Sequence, residues 1–204
     1  MIKTYGIWGM FILIRSWIFT KIFYRSAKLM LLPVDIRGRK HIKWGANFTM
    51  GFGCRLESYP KNGEVVLHIG DNVQLQDAVH ITARSRVVIG NDVLMASKIY
   101  ISDCSHGEYS GNETDSSPMI RPGSRELSSK DVVIGDRVWL GEFVAVLPGV
   151  TIGEGTIVGT NSVVSKDLPA NVIAVGIPAR PIKRFNFESG RWELIPKDPD
   201  GLFK

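Results

Sequence analysis

The chain has 204 residues, 44% hydrophobic and 22% charged, which fits one domain with a buried core and a small appendage and argues against global disorder. Its net charge of +5 is unevenly placed: residues 1–43 hold nine Lys or Arg against Asp35 alone, +8, so the rest of the chain carries −3. A general nucleic-acid-binding surface would put its cations on the folded body, so this distribution argues against one.

The first 33 residues read as an amphipathic helical segment, separate from the rest of the chain. Their longest uncharged run, Thr4 to Ile14, is far shorter than the roughly 20 residues that span a bilayer. Arg15 and Trp17 stand where a signal peptide would need small residues. On a helical wheel Lys3, Lys21, Arg25 and Lys28 share one side, opposite a broad Trp/Phe/Ile/Leu surface. Such a helix either lies in a membrane interface with its cations near anionic headgroups or packs against the protein and its oligomer partners. The aromatics Tyr5, Trp8, Phe11, Trp17 and Phe19 favour the first, a peripheral membrane contact through residues 1–32 on the cytoplasmic face. Two cysteines, Cys54 and Cys104, form neither a disulfide framework nor a metal-ligand spacing and suit a reducing compartment.

Next comes a repeat. A faint run, Ile36, Ile42, Phe48 and Cys54, precedes a clear one: Ile69, Leu75, Ile81, then, after a two-residue slip, Ile89, Met95 and Ile101. After some thirty polar, Gly- and Ser-rich residues the beat restarts at Ile134 and continues through Leu140, Val146, Ile152, Val158 and Val164. Smaller or β-branched residues fall four positions after each, as at Val73, Val79, Val138, Val144, Thr156 and Ser162. Six residues fit neither an amphipathic helix nor a long alternating strand. They fit a short strand and a tight corner, and three such sides close a triangular coil with the aliphatics stacked inside. Glycines directly after the aliphatic, among them Gly70, Gly90, Gly135, Gly141, Gly153 and Gly159, are expected to supply corner conformations that other residues resist. The predicted architecture is an all-β parallel β-helix over residues 34–185, with an inserted loop at 102–131, a short helix in "VSKDLPANVIAVGIPARPIKRF", and a tail over 186–204.

Residues 132–185, "VVIGDRVWLGEFVAVLPGVTIGEGTIVGTNSVVSKDLPANVIAVGIPARPIKRF", resemble the C-terminal half of the hexapeptide-repeat acetyltransferases. Galactoside and maltose O-acetyltransferases, and those that decorate O-antigen and exopolysaccharide sugars, are the members most similar. The resemblance covers residues 65–185 and implies a left-handed β-helix, a homotrimer, acetyl-CoA as donor, a carbohydrate acceptor, and a site between subunits. A loop of thirty residues in so compact a fold is usually functional, and transfer to a hydroxyl needs a base near neutral pKa. His106, seventeen residues after Ile89, matches the family's catalytic histidine.

The resemblance also implies the other roles. Backbone amides at Gly141 and Glu142 would meet the thioester region, Glu142 standing where sugar acetyltransferases commonly have serine. Trp139 would line the cleft or a subunit contact, Ala145 and Thr160 lie beside the coenzyme, and Lys166, Arg180, Lys183 and Arg184 meet its nucleotide end or form a basic patch with no ligand. Gln76, where galactoside enzymes have an acceptor-binding asparagine, and Asp77 would face the acceptor, with His80 as a further contact. Asp103 would orient His106 or be a solvated loop acid. His41 and His68 read as surface residues. No metal is expected: γ-class carbonic anhydrases share the prism, but they need three histidines with two closely spaced, and only His80 and His106 qualify. N-acetylation of an amino-sugar nucleotide and a non-catalytic scaffold remain the other readings.

Overall fold

The computed structural model describes residues 2–196, with side chains from residue 6 onward. A helix, α1 (Ile2–Phe23), is kinked at Gly6 and leads into a three-sided parallel β-helix. The first side stacks Leu29–Met30 (β1), Thr49–Met50, Gln74–Leu75, Leu94–Met95, Trp139–Leu140 and Ile157–Val158. The second stacks Asp35–Arg37, Arg55–Ser58, His80–Ala83, Tyr100–Ser102, Ala145–Val146 and Val163–Val164. The third stacks Ile42–Trp44, Leu67–Ile69, Val87–Ile89, Val132–Ile134 and Thr151–Ile152, and a bridge from Ile152 to Leu168 closes the last coil.

Registration puts the six-residue beat inside. Met30, Met50, Leu75, Met95, Leu140 and Val158 form one inward column. Ile36, Leu56, Ile81, Ile101, Val146 and Val164 form the second, and Trp44, Ile69, Ile89, Ile134 and Ile152 the third. All are buried except Ile36, which is half-buried. At about 1.5–3 kcal/mol per buried aliphatic side chain, this stack dominates the folding energy.

The N-terminal coils keep the pattern but in a different phase from the faint run. Ile36 belongs to an inward column, whereas Ile42, Phe48 and Cys54 occupy the secondary buried positions, with Trp44, Met50 and Leu56 taking the columns. The slip from Ile36 to Trp44 repeats the one from Ile81 to Ile89.

The glycines serve a different purpose from the one expected of them. Gly70 and Gly141 do not have positive φ; a Cβ on Gly70 would lie 2.7 Å from the Gly90 carbonyl, and one on Gly141 2.7 Å from the Thr160 nitrogen. They allow coil to stack on coil. The left-handed conformation falls two residues on, at Asn72 (φ 58), Asp92 (φ 57), Phe143 (φ 58) and Asn161 (φ 58). Asn tolerates it best, and a side-chain ladder, Asn47 to Asn72 to Asp92 at 2.9 Å per step, ties these corners together.

No helix forms where one was expected near the C-terminus. Val172–Gly176, Ala179–Asn186 and Arg191–Leu194 are strands that extend the first side as an antiparallel meander. Val172 and Ala174 are buried and Ile173 half-buried, the period-two alternation of a strand, and the β-branched Val172, Ile173 and Val175 favour it.

Candidate active site

The prism has three edges, and the chain treats them differently. Between first and second sides, and between third and first, every corner is tight. Between second and third sides the chain bulges twice, at residues 59–66 and at 103–131. In the larger excursion Cys104–His106 pairs antiparallel with Leu127–Ser129, opposing His106 to Leu127.

Asp103 builds the root of this hairpin. It is fully buried, and its carboxylate accepts the backbone N–H groups of Arg84 (2.9 Å), Ser85 (2.7 Å) and Arg86 (2.8 Å). The residue is therefore neither an orienter of His106 nor a solvated acid; its lone pairs pin the loop to the coil below. Farther out, Tyr109 Oη donates to the His106 carbonyl at 2.5 Å, and Arg125 donates to Tyr109 Oη at 2.6 Å. Glu108 accepts from Ser128 Oγ at 2.6 Å and from Ser110; these hydroxyls hold its carboxyl below the usual range. The His106 ring is exposed, and no side chain among the described residues hydrogen-bonds it.

Most of the other candidate positions lie elsewhere. Gln76, Asp77, Gly141, Glu142 and Thr160 occupy the edge between first and second sides, with Ala145 and His80 just beyond it on the second side and Trp139 on the first. The Gly141 N–H already donates to Val158 O at 2.8 Å, so it is committed to the coil and unavailable as an oxyanion donor. The Glu142 N–H has no acceptor among the described residues, and its side chain is exposed. Asp77 spends one oxygen on Phe52 N–H at 2.8 Å, a corner cap that Asp136 and Asp167 repeat; Gln76 is exposed.

Trp139, Ile157, Ile173 and Lys183 form an outward row by registration. Three strand spacings make that row about 14 Å long. Arg180 and Arg184 share the Lys183 strand, whereas Lys166 follows Val164 at the edge between second and third sides. One chain thus separates His106 from Glu142 and from the outward row by a prism side.

His80 belongs to a network that sequence reasoning missed. Its Nε2 lies 3.0 Å from Glu57, which also takes hydrogen bonds from Thr82 (3.2 Å), Arg37 (2.8 Å) and Tyr59 (3.3 Å). Burial raises the Glu57 pKa, but the His80, Thr82 and Arg37 contacts outweigh it and the net shift is downward. The coil register, which sets Glu57 opposite Thr82 and Arg55 opposite His80, was the available signal. His41 is buried rather than at the surface, with Nδ1 2.8 Å from Glu64 O. Among the described residues no three His, Cys, Asp or Glu side chains gather to hold a metal.

The family model for bacterial transferase hexapeptide (six repeats) matches residues 131–166. Over 191 residues the chain is 46% identical to the Escherichia coli (strain K12) protein named "Putative lipopolysaccharide biosynthesis O-acetyl transferase WbbJ", covering 94% of this chain and 96% of that one. It is 35% identical over 120 residues to the galactoside O-acetyltransferase of the same strain, covering 59% of this chain and 55% of the relative. Among solved structures, a point mutant of AntD, an N-acyltransferase from Bacillus cereus in complex with an amino-sugar nucleotide and coenzyme A, superposes with a TM-score of 0.66 at 23% identity, covering 84% and 89% of the two chains; at that identity it shows the fold alone. The chain belongs to the hexapeptide-repeat acetyltransferases, left-handed β-helix enzymes that use acetyl-CoA as co-substrate.

Proposed function

We propose that this enzyme acetylates a sugar hydroxyl during assembly of a surface polysaccharide, with His106 as general base. The observation that carries the reading is the near full-length similarity to a protein named for lipopolysaccharide biosynthesis O-acetyl transfer. His106 takes the proton of the attacking hydroxyl. The Glu142 N–H faces the oxygen on which negative charge develops, a role that needs only the amide and so tolerates a glutamate where serine is usual. Acetyl-CoA supplies the activated acyl group. The half-exposed row from Trp139 to Lys183 suits a pantetheine arm, and Lys183 with Arg180 suits phosphates, whereas Arg184, opposed to the buried Val172, projects from the other face of the strand. Because His106 and Glu142 sit on different edges, the working unit is a homotrimer in which one subunit's loop faces its neighbour's first–second edge.

The test is acetyl-CoA turnover against free sugars, amino-sugar nucleotides and lipid-linked oligosaccharides. A hydroxyl acceptor should be acetylated, and His106→Ala should cut that turnover by roughly 10² or more while leaving coenzyme binding intact. Turnover confined to amino groups, or full activity of the variant, contradicts the reading.

The same enzyme works at the cytoplasmic face of a membrane, held by residues 1–32. Helix α1 is inside-out. Ser16 and Thr20 are fully buried; Thr20 Oγ1 accepts from Met30 N at 2.9 Å and Ser16 Oγ from Leu32 N at 3.3 Å, closing the open edge of β1. Lys21 turns back to donate to Ala27 O at 3.0 Å, so it does not stand on a cationic outer face, and Arg25 and Lys28 lie beyond the helix. Ile7, Trp8, Phe11, Ile14, Trp17, Ile18 and Ile22 face outward, an arc roughly 180° wide that also holds exposed Arg15, whose guanidinium reaches the Leu32 carbonyl at 3.5 Å. A coiled-coil seam would be narrower and flanked by polar residues. Gly6–Phe23 is long and apolar enough to cross a membrane by length and composition, but its second half lies along β1, so it is immersed in one leaflet with Arg25, Lys28 and Lys43 at the headgroups. Full-length protein should float with neutral vesicles even in about 1 M salt. Flotation only with anionic vesicles at low salt contradicts immersion; no flotation at all contradicts membrane contact.

A further inference from the structure

The two excursions of the second–third edge meet, and a polar cavity of ≈ 250 Å³ lies between them. Lys61, Asn62 and Glu64 line it from the smaller excursion, Leu127 and Ser129 from the larger, and Arg84 from the coil that Asp103 pins. Residues directly opposed across an antiparallel pair project to the same face, as do residues two apart. Leu127 opposes His106 and Ser129 opposes Cys104, so the His106 side chain shares its face of the hairpin with the two side chains that wall the cavity. His106 is not itself part of the lining, but it stands directly across the hairpin from Leu127, which is.

Its polar groups are unfinished. Arg84 Nε and Ser129 Oγ are buried without a hydrogen-bond partner, the two such side-chain atoms among the described residues, and both belong to this cavity. Its lining carries two cations, Lys61 and Arg84, and one acid, Glu64, an oxygen of which is already engaged by the Asn62 N–H at 3.1 Å; the neighbouring acids are engaged too, Asp131 by the lining Ser85 at 2.9 Å and Asp103 by three backbone N–H groups. An orphaned guanidinium N–H beside a lysine is satisfied by an anion that offers several acceptor oxygens. At ≈ 250 Å³ the space falls below the roughly 300–1,000 Å³ of pockets that hold a whole small molecule. It takes one group of a larger ligand.

We infer that this cavity is a phosphate subsite of the acceptor, so that the sugar presented to His106 is one carried on a phosphate or pyrophosphate. The inference rests on His106 being the base and deepens that reading: the acceptor is a phosphorylated glycosyl carrier, anchored by Arg84 and Lys61, with a hydroxyl left within reach of the imidazole. It also explains why both excursions leave the same edge, since neither alone closes the cavity.

The test uses binding rather than turnover. Full-length protein is titrated calorimetrically with inorganic pyrophosphate while the imidazole resonance of His106 is followed by NMR. One site per chain is expected, with a shift of the His106 resonance, and Arg84→Gln and Lys61→Gln should each weaken binding at least about tenfold. Glucuronate in place of pyrophosphate should bind at least about tenfold more weakly; tighter glucuronate binding would replace phosphate with a sugar carboxylate and overturn the assignment. Lys61 stands on an exposed excursion, so its variant remains informative if Arg84→Gln fails to fold. His106→Ala should still bind pyrophosphate, which separates failure of the subsite from failure of the base. Absence of binding, binding indifferent to both substitutions, or binding that leaves the His106 resonance unmoved overturns the inference.

Discussion

The first–second edge and the second–third edge of this prism are made from the same six-residue unit, yet one keeps it through every coil and the other breaks it twice. On the unbroken edge each residue is constrained by the coil above and below: the Gly141 N–H is donated within the stack, its Cα lies against Thr160, and Phe143 is held at φ 58. Side chains there point outward from fixed positions, which suits positioning a long, extended co-substrate. On the broken edge the chain leaves the stack and carries a histidine and an unfinished polar cavity with it. The regular edge offers backbone geometry and the irregular one an imidazole, and the transfer proposed above draws on both.

Two aspartates sharpen the comparison. Asp103 on the broken edge is buried and accepts three backbone N–H groups, whereas Asp77 on the regular edge is exposed and accepts one. Asp103→Ala strands those three donors and should destabilise the protein by about 3 kcal/mol or more, while Asp77→Ala should lose about 1 kcal/mol or less. Denaturant unfolding of the two variants measures the difference. Equal losses would mean that the loop root is not specially anchored. If instead Asp103→Asn retained full stability while losing activity, the carboxylate would be serving His106.

The regular edge was the legible one. Its beat could be read from Ile134 to Val164 because each residue's environment is set by its neighbours six and some twenty positions away. The phase error at Ile42, Phe48 and Cys54 arose because the secondary positions are also buried, so hydrophobicity alone does not say which set points down the columns. The strand over Ala179–Asn186 was missed because the beat ends after Val164 and the chain then reverses at Ile177 and Pro178, so nothing periodic leads into it. The loop at 102–131 stood out by its length, but its internal contacts were not legible. That Asp103 caps a neighbouring coil, or that Arg84 and Ser129 share a cavity, depends on bringing together segments that no local pattern relates. The inside-out polarity of α1 escaped for the same reason, since Ser16 and Thr20 acquire their meaning only from the edge of β1.

The central claim is that His106 and the Glu142 amide act together from different subunits. Glu142 precedes the positive-φ residue of its corner, as Pro148 precedes Gly149 (φ 85) one corner on, so Glu142→Pro suits the turn and removes the N–H together with an exposed side chain; Glu142→Ala, which keeps the N–H, is the control and should stay active. Each single variant, His106→Ala and Glu142→Pro, should be nearly inactive as a pure trimer. When the two are unfolded together and refolded at equal ratio, about a quarter of the interfaces would pair an intact histidine with an intact amide. Activity of the mixture should therefore recover to roughly a quarter of the wild-type value. A mixed trimer as inactive as its parents would contradict a site shared between subunits.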